Sequence, residues 1–585
     1  MNKFYREAAR MLLEKNLSEL LYEEAILCES HGNRQEILLH SGHVYAFIGD
    51  LSIWGHWLIK PKSIQRNNSL ATCPLQLLID AKSELQLTDI VLANLIEETS
   101  NGLVSDAELR KNRSTWSAER IALLNFNEQQ AYFEGHPKAI ANKGRMGWGV
   151  SEHKSYAPEH SPSIQLRWLA TQSDLLQSGY QKDWSPIKLL ANSVSTAQLQ
   201  AVSELLAEPV DSWSFIPVHP WQWEHKIKTL FAKELANGAL VDLGYLGDNF
   251  LPQQSLRTLA NRRAEENLDI KLPLTVLNTS CFRGIPARYI RIGAELSAWL
   301  KGICVNDSEL SNTYVLQEVA GVHLPQNLYR QLGEAPYRYN ELLGAIWREP
   351  VAKYLEHGQQ AVMLGALWQT DNAGTPLLNT WLEQSGLGLD DWLGELFRAM
   401  VVPLYHLLCH HGIGLVAHGQ NITLVLEQGR VVAMALKDFQ GDLRLDEKHY
   451  KSRDGLSSNA LEAIDTLPPE YLIHDLQTGN FVTALRFLSG LCFTRFKFSE
   501  VEFYSLLAKE LRAYQCRESS SQEQHQRFNL FSNDIAKLCI NRVRLQQGYE
   551  DSAERPIPIR GSDIKNPLFL AEQINVDKAV QENVA

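Results

Sequence analysis

The stretch from His418 to Asp438 constrains the fold of this chain most strongly, because it predicts a hairpin with a polar cluster at each end. The sequence reads HGQN, the apolar run ITLVLE, the residues Gln428 and Gly429, and then VVAMALKDF. Two apolar runs around a short turn that contains glycine are typical of antiparallel strands. A hairpin returns the chain to its starting point, so we expect Asn421 and Asp438 to face a common point.

That pair of side chains suits a magnesium ion. One amide oxygen and one carboxylate can hold Mg²⁺ where the ion bridges phosphates, as in protein kinases. His418 and Gln420 would then line the nucleotide side. A structural alternative stays open, in which His418, Gln420 and Asn421 cap the preceding helix and Asp438 fixes a turn.

A second polar cluster lies in the stretch SLRTLANRRAEENLDIKLPLTVLNTSCFRGIP. Its cations and hydroxyls fall near expected strand edges and turns. They are Ser255, Arg257, Lys271, Thr279, Ser280 and Arg283. Phosphoryl chemistry uses this mixture, because cations neutralise developing charge and hydroxyls bond to the non-bridging oxygens. Arg257 and Lys271 could also be ordinary surface cations, but Lys271 directly precedes an apolar strand, which favours a site.

Two His-Pro dipeptides form a third signal, His136 before Pro137 and His219 before Pro220. A following proline restricts the histidine backbone to extended conformations, so the imidazole projects from a fixed frame. Lys143 and Arg145 lie near the first of them and could hold a carboxylate-rich substrate through charge-assisted bonds. For each histidine alone, a structural role is the alternative.

Composition limits the function classes. The 585 residues suggest two to four domains, and the net charge of −12 without a block of basic residues argues against a nucleic-acid partner. A local basic pocket for an anionic small molecule stays possible. The charged N-terminus predicts no signal peptide, and we expect no spanning helix. The eight cysteines are far apart, which indicates reduced thiols. A cytoplasmic protein is therefore expected.

The chain divides into three predicted regions, which together indicate an α+β fold. Residues 1–125 form a mixed N-terminal domain that opens with an amphipathic helix. Residues 126–325 alternate strand-like runs such as SWSFIPVHPWQW with SPSIQLRWLATQSDLLQS, which we predict as helix. They begin with the glycine-rich stretch GHPKAIANKGRMGWG, a loop candidate. Residues 326–585 are mainly helical apart from the hairpin, and Gly412 is expected to cap a helix.

Several common motifs are absent. His406 and His410 lie four residues apart on a predicted helix, but no glutamate follows His406 and no third ligand is evident, so the sequence does not predict zinc there. The chain has no Walker loop, no strand-linked GxGxxG and no GxSxG elbow. P-loop, Rossmann and common hydrolase sites are therefore not expected.

A family resemblance rests on the motifs GHPKAIANKGRMGWG, HPWQ, QQSLRTL, KLPLTVLNTSCFRGIP, AHGQN and KDFQGD, in this order. They resemble those of the NRPS-independent siderophore (NIS) synthetases, the IucA/IucC family, and the whole chain is most similar to its type C members. The resemblance implies an ATP- and Mg²⁺-dependent ligase. It would adenylate a citryl-hydroxamate carboxylate and join it to an N-hydroxylated, acylated lysine or diamine, with release of AMP and pyrophosphate.

The same resemblance implies a hand-like architecture of thumb, fingers and kinase-like palm, and a homodimer. By motif position, the residues that would bind ATP are Ser255, Arg257, Lys271, Thr279, Ser280, Arg283, His418 and Gln420. Asn421 and Asp438 would hold the metal, and Lys271, Arg283 and His418 would act in catalysis. The residues assigned to the carboxylate and hydroxamate-amine substrates are His136, Lys143, Arg145, His219 and Gln222.

Three other functions stay open at the level of sequence. A type C synthetase that oligomerises and cyclises succinyl-hydroxydiamine units would carry nearly the same motifs. A kinase-like phosphotransferase would use the same palm but release ADP. A non-catalytic protein that senses iron or siderophore is the third, although the full set of Lys271, Arg283, His418 and Asp438 argues against a decayed site.

Overall fold

The computed structural model describes residues 2–206, 209–263, 267–278, 281–548, 551 and 558–574. The fold mixes 47% helix with 23% strand. Within these residues, no helix combines the length and the apolar character that a membrane crossing needs.

The N-terminal region packs long helices on a small antiparallel sheet. Helix Asn2–Tyr22 buries Leu13, Leu17 and Leu20, which share one face because they are three or four positions apart. This face packs against the sheet and near helix Asp89–Asn112. The predicted N-terminal helix is therefore confirmed. The strands of the sheet are Glu29–His31, Arg34–Leu38, Val44–Leu51, Trp57–Ile59, Gln65–Arg66 and Ser69–Leu70.

The middle region is built on an eight-stranded antiparallel sheet. In spatial order its strands are Gln177–Tyr180, Glu318–His323, Gly344–Arg348, Asp269–Lys271, Thr258–Asn261, Leu240–Pro252, Ile164–Gln172 and Trp213–Val218. Trp168, Phe215, Ile270 and Trp347 belong to its buried core. Beyond Lys271, a short hairpin pairs Leu274–Asn278 with Cys281–Arg283.

One prediction in this region is wrong. We predicted a helix across residues 161–178, but residues Ile164–Gln172 form a central strand of the sheet. Ile164, Leu166 and Trp168 are buried and alternate with half-buried Gln165 and Arg167. This two-residue period is typical of a strand, and the apolar residues that follow Trp168 obscured it.

The C-terminal region contains a four-stranded and a three-stranded sheet among helices. The four-stranded sheet has the order Thr313–Val315, Arg430–Leu436, Ile422–Glu427 and Gln359–Met363, and the three-stranded sheet has the order Ile413–Leu415, Leu443–Asp446 and Thr466–Leu467. The predicted hairpin is confirmed, with Gln428 and Gly429 in its turn, both at positive φ (49° and 77°). Gly412 caps helix Val402–His411 at φ 63°, also as predicted.

Two short connections join the four-stranded sheet to the eight-stranded sheet. Strand Thr313–Val315 lies in the four-stranded sheet and Glu318–His323 in the eight-stranded one, and Gly344–Arg348 is followed by Gln359–Met363 in the same way. The boundary that we predicted at residue 325 therefore falls inside the antiparallel pair of strands Glu318–His323 and Gly344–Arg348. At these connections the backbone N–H of Leu316 donates to Leu436 O at 2.9 Å, and that of Glu349 donates to Gln317 O at 2.8 Å.

The end of the chain returns to the N-terminal region. The buried carboxylate of Glu23 accepts hydrogen bonds from the backbone N–H groups of Ile540, Asn541 and Arg542, at 2.9 to 3.2 Å, and so caps helix Ile540–Gln547. Strands Asp534–Cys539 and Ile559–Lys565 pair next to it. Further helices span Pro74–Asp80, Ala118–Ala122, Val150–Tyr156, Pro186–Ser193, Thr196–Leu205, Pro220–Gln222, Gly293–Asn306, Leu378–Ser385, Leu389–Leu396, Ser458–Ala463, Arg486–Leu491, Glu500–Arg517 and Gln522–Arg527.

Candidate active site

Three charged residues lie side by side across the eight-stranded sheet. In the strand register, Arg348 is opposite Glu318 on one neighbour and opposite Asp269 on the other. All three side chains are buried. Arg348 Nη2 donates to Asp269 Oδ2 at 2.8 Å, and Gln440 Nε2 donates to Glu318 Oε2 at 2.7 Å. The sheet therefore presents a buried row of acid, base and acid where it meets the C-terminal region.

Asp438 reaches this row from the hairpin. Its carboxylate lies 2.7 Å from Lys271 Nζ and 3.4 Å from Arg348 Nη1. Lys271 is two residues beyond Asp269 on the same strand, so both side chains point to one face of the sheet. Asp438 has a left-handed backbone (φ 63°), which directs the chain into the turn after the hairpin. We name Lys271, Asp269, Arg348, Glu318 and Asp438 the ion cluster.

Burial and charge act against each other in the ion cluster. Burial alone would raise the pKa of Asp438, but the cations of Lys271 and Arg348 outweigh it and hold the pKa well below its usual range. For Asp269 and Glu318 burial dominates and raises the pKa of each carboxyl. Burial, with Arg348 nearby, lowers the pKa of Lys437 to about 8. The carboxylate that carries negative charge most stably is therefore Asp438.

The mouth of the hairpin offers oxygen ligands for a metal. The backbone N–H of Lys437 donates to Asn421 O at 3.3 Å, so Asn421 lies opposite the residue before Asp438. Asn421 Nδ2 donates to Val416 O at 3.1 Å and to Asp442 Oδ2 at 3.2 Å, and within the described residues no hydrogen bond reaches its Oδ1. Carboxylate and amide oxygens are the ligands that Mg²⁺ prefers, so these residues fit the ion.

His418 and Gln420 lie on the same turn as Asn421. The backbone N–H of Gln420 donates to His418 Nδ1 at 3.2 Å, and that of Asn421 donates to His418 O at 3.0 Å. Gly419 is packed against Trp368, where a Cβ would come within 2.5 Å of the ring. The loop is therefore held tightly, and the side chains of His418 and Gln420 are half-buried at its surface.

The predicted phosphate-binding residues Ser255 and Arg257 lie just before strand Thr258–Asn261, which pairs with the strand of Lys271. Arg257 Nη1 donates to Gly284 O, its carbonyl accepts from Leu272 N at 2.8 Å, and Ser255 Oγ accepts from Thr258 N at 3.0 Å. Arg257 thus connects the strand of Lys271 to the hairpin that carries Arg283. Thr279 and Ser280 lie outside the described residues, as does the side chain of Arg283, whose backbone is in strand Cys281–Arg283.

Four of the sequence motifs share one small apolar core. It contains Trp148 from the glycine-rich loop, Trp221 from HPWQ, Leu256 from QQSLRTL, and Leu274 and Val276 from the strand after Lys271. The loop is also joined to that strand by the bridge between Met146 and Leu277. Motifs far apart in sequence are therefore brought around one strand.

The residues predicted to bind substrate have partners inside the protein. Lys143 and Arg145 are buried and both bind Glu159, Lys143 at 2.5 Å and Arg145 in a bidentate pair at 2.8 and 2.9 Å. Gln222 bonds to the backbone N–H and to the hydroxyl of Thr275, at 2.9 and 3.0 Å. These contacts position the loop and the strand.

The two histidines that precede prolines also have internal contacts. His219 caps helix Pro220–Gln222 through Nδ1, with ψ 135° as expected before a proline, and burial lowers its pKa to about 3. His136 accepts the N–H of Lys138 at its Nδ1, at 3.2 Å, and its carbonyl accepts from Lys15 at 2.6 Å. His136 is half-buried, in contrast to His219.

Sequence reasoning missed five residues around this site: Asp269, Glu318, Arg348, Gln440 and Asp442. Gln440 and Asp442 are within the KDFQGD motif, so they could have been included. Asp269 lies within the quoted stretch around Lys271, but it meets Glu318 and Arg348 only through strand register, which a single sequence does not reveal.

Comparison with known proteins places this site in context. Residues 125–369 match the IucA / IucC family, and residues 390–553 match the family described as ferric iron reductase FhuF-like transporter. The chain is 39% identical to aerobactin synthase from Escherichia coli over 568 residues, which covers 96% of this chain and 98% of that protein.

Solved structures give the same result. Aerobactin synthetase IucC from a hypervirulent pathotype of Klebsiella pneumoniae matches with a TM-score of 0.87 and 35% identity, over 98% of this chain and 100% of that one. ATP-bound aerobactin synthetase IucA from the same pathotype shares the fold, with a TM-score of 0.77 and 18% identity over 95% and 99% of the two chains. From its similarity along nearly the whole length, this protein belongs to the IucA/IucC family.

Proposed function

We propose that this protein is an ATP-dependent carboxylate–amine ligase that completes an aerobactin-type hydroxamate siderophore. The first substrate is a citryl-hydroxamate intermediate with a free carboxylate, and the second is an N-hydroxylated, acylated lysine or diamine with a free amine. The similarity to E. coli aerobactin synthase supports this choice. The observation that carries the proposal is the contact of Lys271 and Arg348 with Asp438. It brings two cations next to a carboxylate that could bind a metal ion.

The proposed reaction has two steps. A carboxylate oxygen of the citryl substrate bonds to the α-phosphorus of ATP, and the bond from that phosphorus to pyrophosphate breaks. The amine nitrogen then attacks the acyl carbon, AMP leaves, and the nitrogen loses a proton to give the amide. No enzyme nucleophile is needed.

The residues of this chain have electrostatic roles in the proposed reaction. Negative charge grows on the α-phosphate and on pyrophosphate, and Lys271, Arg257 and Arg283 are proposed to stabilise it. Ser255, Thr279, Ser280 and Gln420 would complete the binding of the nucleotide. Magnesium, when bound by Asp438 and Asn421, supplies further positive charge to the phosphates.

Lys271 is proposed to change partner during binding. In the structure it bonds to Asp438, whose carboxylate is also the proposed metal ligand. Binding of the nucleotide would therefore replace an internal ion pair by two new contacts, Lys271 with phosphate and Asp438 with metal. Arg348 keeps its second contact, with Asp269 at 2.8 Å, and so holds its position while this happens.

His418 and Arg283 are proposed to contact the reacting carboxylate. For the substrate side we retain His136, Lys143, Arg145, His219 and Gln222 as proposals. Because Lys143, Arg145 and Gln222 are engaged inside the protein, they would act by shaping the pocket wall. His136 is half-buried and is the member of this set that we propose for direct contact.

The proposal extends to architecture and cellular context. The regions correspond in this view to the thumb, fingers and kinase-like palm of a hand, with the hairpin in the palm. We also propose a cytoplasmic homodimer that acts on small molecules and not on nucleic acid or membranes. Light scattering coupled to size-exclusion chromatography tests the dimer.

Product analysis by mass spectrometry tests the reaction. Purified protein is incubated with ATP and Mg²⁺ and offered a citryl-hydroxamate with acyl-hydroxylysine, or a succinyl-hydroxydiamine alone. We expect AMP and a new amide from the citryl substrate. A macrocycle from the succinyl substrate would identify the alternative type C reaction instead.

Two results would contradict the proposed chemistry. Formation of ADP would identify phosphotransfer, and absence of turnover with every substrate would favour a binding protein. Lys271→Met is the matched control for contaminating activity, because it removes one proposed phosphate contact and should suppress AMP formation.

A further inference from the structure

Two histidines and an aspartate lie close together between two helices, outside the ion cluster. Asp307 directly follows helix Gly293–Asn306, and His406 and His411 are on helix Val402–His411. His406 Nε2 and His411 Nε2 each lie 2.9 Å from the same atom, Asp307 Oδ2. One ligand-type atom from each of the three residues lies within 4.8 Å of the others.

Further hydrogen bonds hold His406 and Asp307 in place. His406 Nδ1 lies 2.8 Å from the hydroxyl of Tyr514, and Asp307 Oδ1 accepts the backbone N–H of Glu309 at 3.0 Å. His406 is almost fully buried, whereas the side chains of Asp307 and His411 keep 18% and 15% of their exposure. Such outer contacts fix the direction of metal-binding imidazoles and carboxylates in proteins.

We propose that Asp307, His406 and His411 form a binding site for one divalent transition-metal ion, with Zn²⁺ as the best match. Two imidazole nitrogens and one carboxylate are a known ligand set for Zn²⁺, with bonds of about 2.0–2.2 Å and a fourth position open to water. The partial exposure of Asp307 and His411 leaves room for that water. Mg²⁺ and Ca²⁺ prefer oxygen ligands and do not suit two imidazoles.

The three ligand atoms would move to accept the ion. Tetrahedral ligands at such bond lengths are about 3.3 Å apart, and the two Nε2 to Oδ2 separations are 2.9 Å. Each Nε2 to Oδ2 separation would widen by a few tenths of an ångström, and the two imidazole nitrogens, which lie within 4.8 Å of each other, would approach to the same spacing. To bind the ion, Nε2 of both His406 and His411 would be unprotonated, and the ring proton of each would be on Nδ1, where that of His406 would bond to the Tyr514 hydroxyl. Both imidazoles would then be neutral.

The place of the site suggests what the ion does. Asp307 comes just before strand Thr313–Val315, and His411 comes just before strand Ile413–Leu415, which leads into residues 418–421. An ion shared by these residues would tie together the two segments that enter the sheets around the proposed nucleotide site. We infer a structural role that stabilises this part of the fold, independent of whether the proposed ligase reaction is correct.

Metal titration of the full chain tests the proposal. Protein stripped with a chelator is titrated with Zn²⁺ against a chromophoric competitor, in a Cys73→Ser/Cys516→Ser background because both of these thiols are exposed. We expect one Zn²⁺ per chain and a higher melting temperature with Zn²⁺ than without it. Asp307→Asn and His411→Gln should each weaken binding by at least about 100-fold, as expected when a direct ligand is lost.

His410→Gln is the matched control. His410 is on the same helix and its ring stacks on His406 at 4.8 Å, but it is exposed and does not belong to the triad. Its substitution should leave Zn²⁺ affinity unchanged. If the wild-type protein binds no Zn²⁺ at micromolar concentration, or if His410→Gln and His411→Gln lose it equally, the proposal is overturned and the triad is a hydrogen-bonded network.

Co²⁺ gives an answer that does not depend on how the variants fold. Tetrahedral Co²⁺ with nitrogen and oxygen ligands produces visible d–d absorption without a thiolate charge-transfer band. We expect that spectrum from the cobalt-loaded wild-type protein. A thiolate band, or no d–d absorption after addition of Co²⁺, would place the ion elsewhere and overturn the proposal.

Discussion

Substitutions of Asp438 can separate its proposed role as a metal ligand from its role in the backbone turn after the hairpin. Its backbone is left-handed, with φ 63°. Asparagine tolerates this conformation well, whereas alanine at such a position costs about 1–2 kcal/mol. Asp438→Asn therefore removes the charge without adding backbone strain, whereas Asp438→Ala removes the charge and also strains the backbone.

The expected loss of activity follows from what the carboxylate contacts. Asp438 is the carboxylate of the ion cluster whose pKa is held low, by Lys271 and Arg348 against the effect of burial. As an amide it would bind Mg²⁺ weakly. We expect kcat/KM for ATP to fall by about 10²–10³-fold, which corresponds to about 3–4 kcal/mol of lost transition-state stabilisation. AMP release measured against Mg²⁺ concentration should show a higher Mg²⁺ requirement.

Asp269→Asn is the matched control. Asp269 is the other carboxylate that bonds to Arg348, at 2.8 Å, but it is fully buried and is not a proposed ligand. Its substitution should alter stability and leave the Mg²⁺ requirement unchanged. If folded Asp438→Asn keeps turnover near that of the wild type, or if both variants shift the Mg²⁺ requirement equally, the assignment of Asp438 to the metal is wrong.

Three further predictions follow from other buried charges. Arg348→Lys cannot reach Asp269 and Asp438 together, so kcat/KM should fall on the order of 10²-fold, and an unchanged value in steady-state assays would contradict a positioning role. Glu159→Gln leaves Lys143 and Arg145 buried without a countercharge, so the free energy of unfolding should fall by about 3–5 kcal/mol in denaturant titrations. Unchanged stability together with a raised KM would instead support direct binding of substrate by Lys143 and Arg145. Burial raises the pKa of Asp475 to about 7 despite its pair with Arg444, so the native state binds this proton more tightly than the unfolded chain, and stability should fall as pH rises from about 4 to 7. Asp475→Asn should remove that part of the pH dependence, and identical slopes for the two proteins would refute it.

The local elements were predictable where a single pattern decides them. The helix Asn2–Tyr22 has apolar residues at helical spacing, and the hairpin of Ile422–Glu427 and Arg430–Leu436 has a turn that suits Gln428 and Gly429. The strand Ile164–Gln172 was not predicted, because buried residues follow its alternating part. The consecutive residues 168–171 are all buried, so both faces of the strand are covered there and the two-residue period is lost.

The candidate site was predictable in its parts and not as a whole. Lys271 and Asp438 were each predicted from their own motif, and the structure places them 2.7 Å apart although 167 residues separate them in sequence. Arg348 joins Asp438 to Asp269 and lies opposite Glu318 in the strand register, and it was not among the predicted site residues. Its position depends on which strands are neighbours, and a single sequence contains no direct record of that register.

The same limit explains why the histidine triad was not predicted. Sequence spacing pointed to His406 with His410, since residues four apart share a helix face. The structure pairs His406 with His411 instead, because the helix ends at Gly412 and Asp307 approaches from a segment 99 residues earlier in the chain. A sequence motif captures ligands that are close in sequence, whereas the end of a helix can meet a segment that is distant in the chain. Arg348 ends strand Gly344–Arg348 and Asp307 follows helix Gly293–Asn306, so both charged residues lie at the ends of elements, where their partners come from distant segments that no single motif contains.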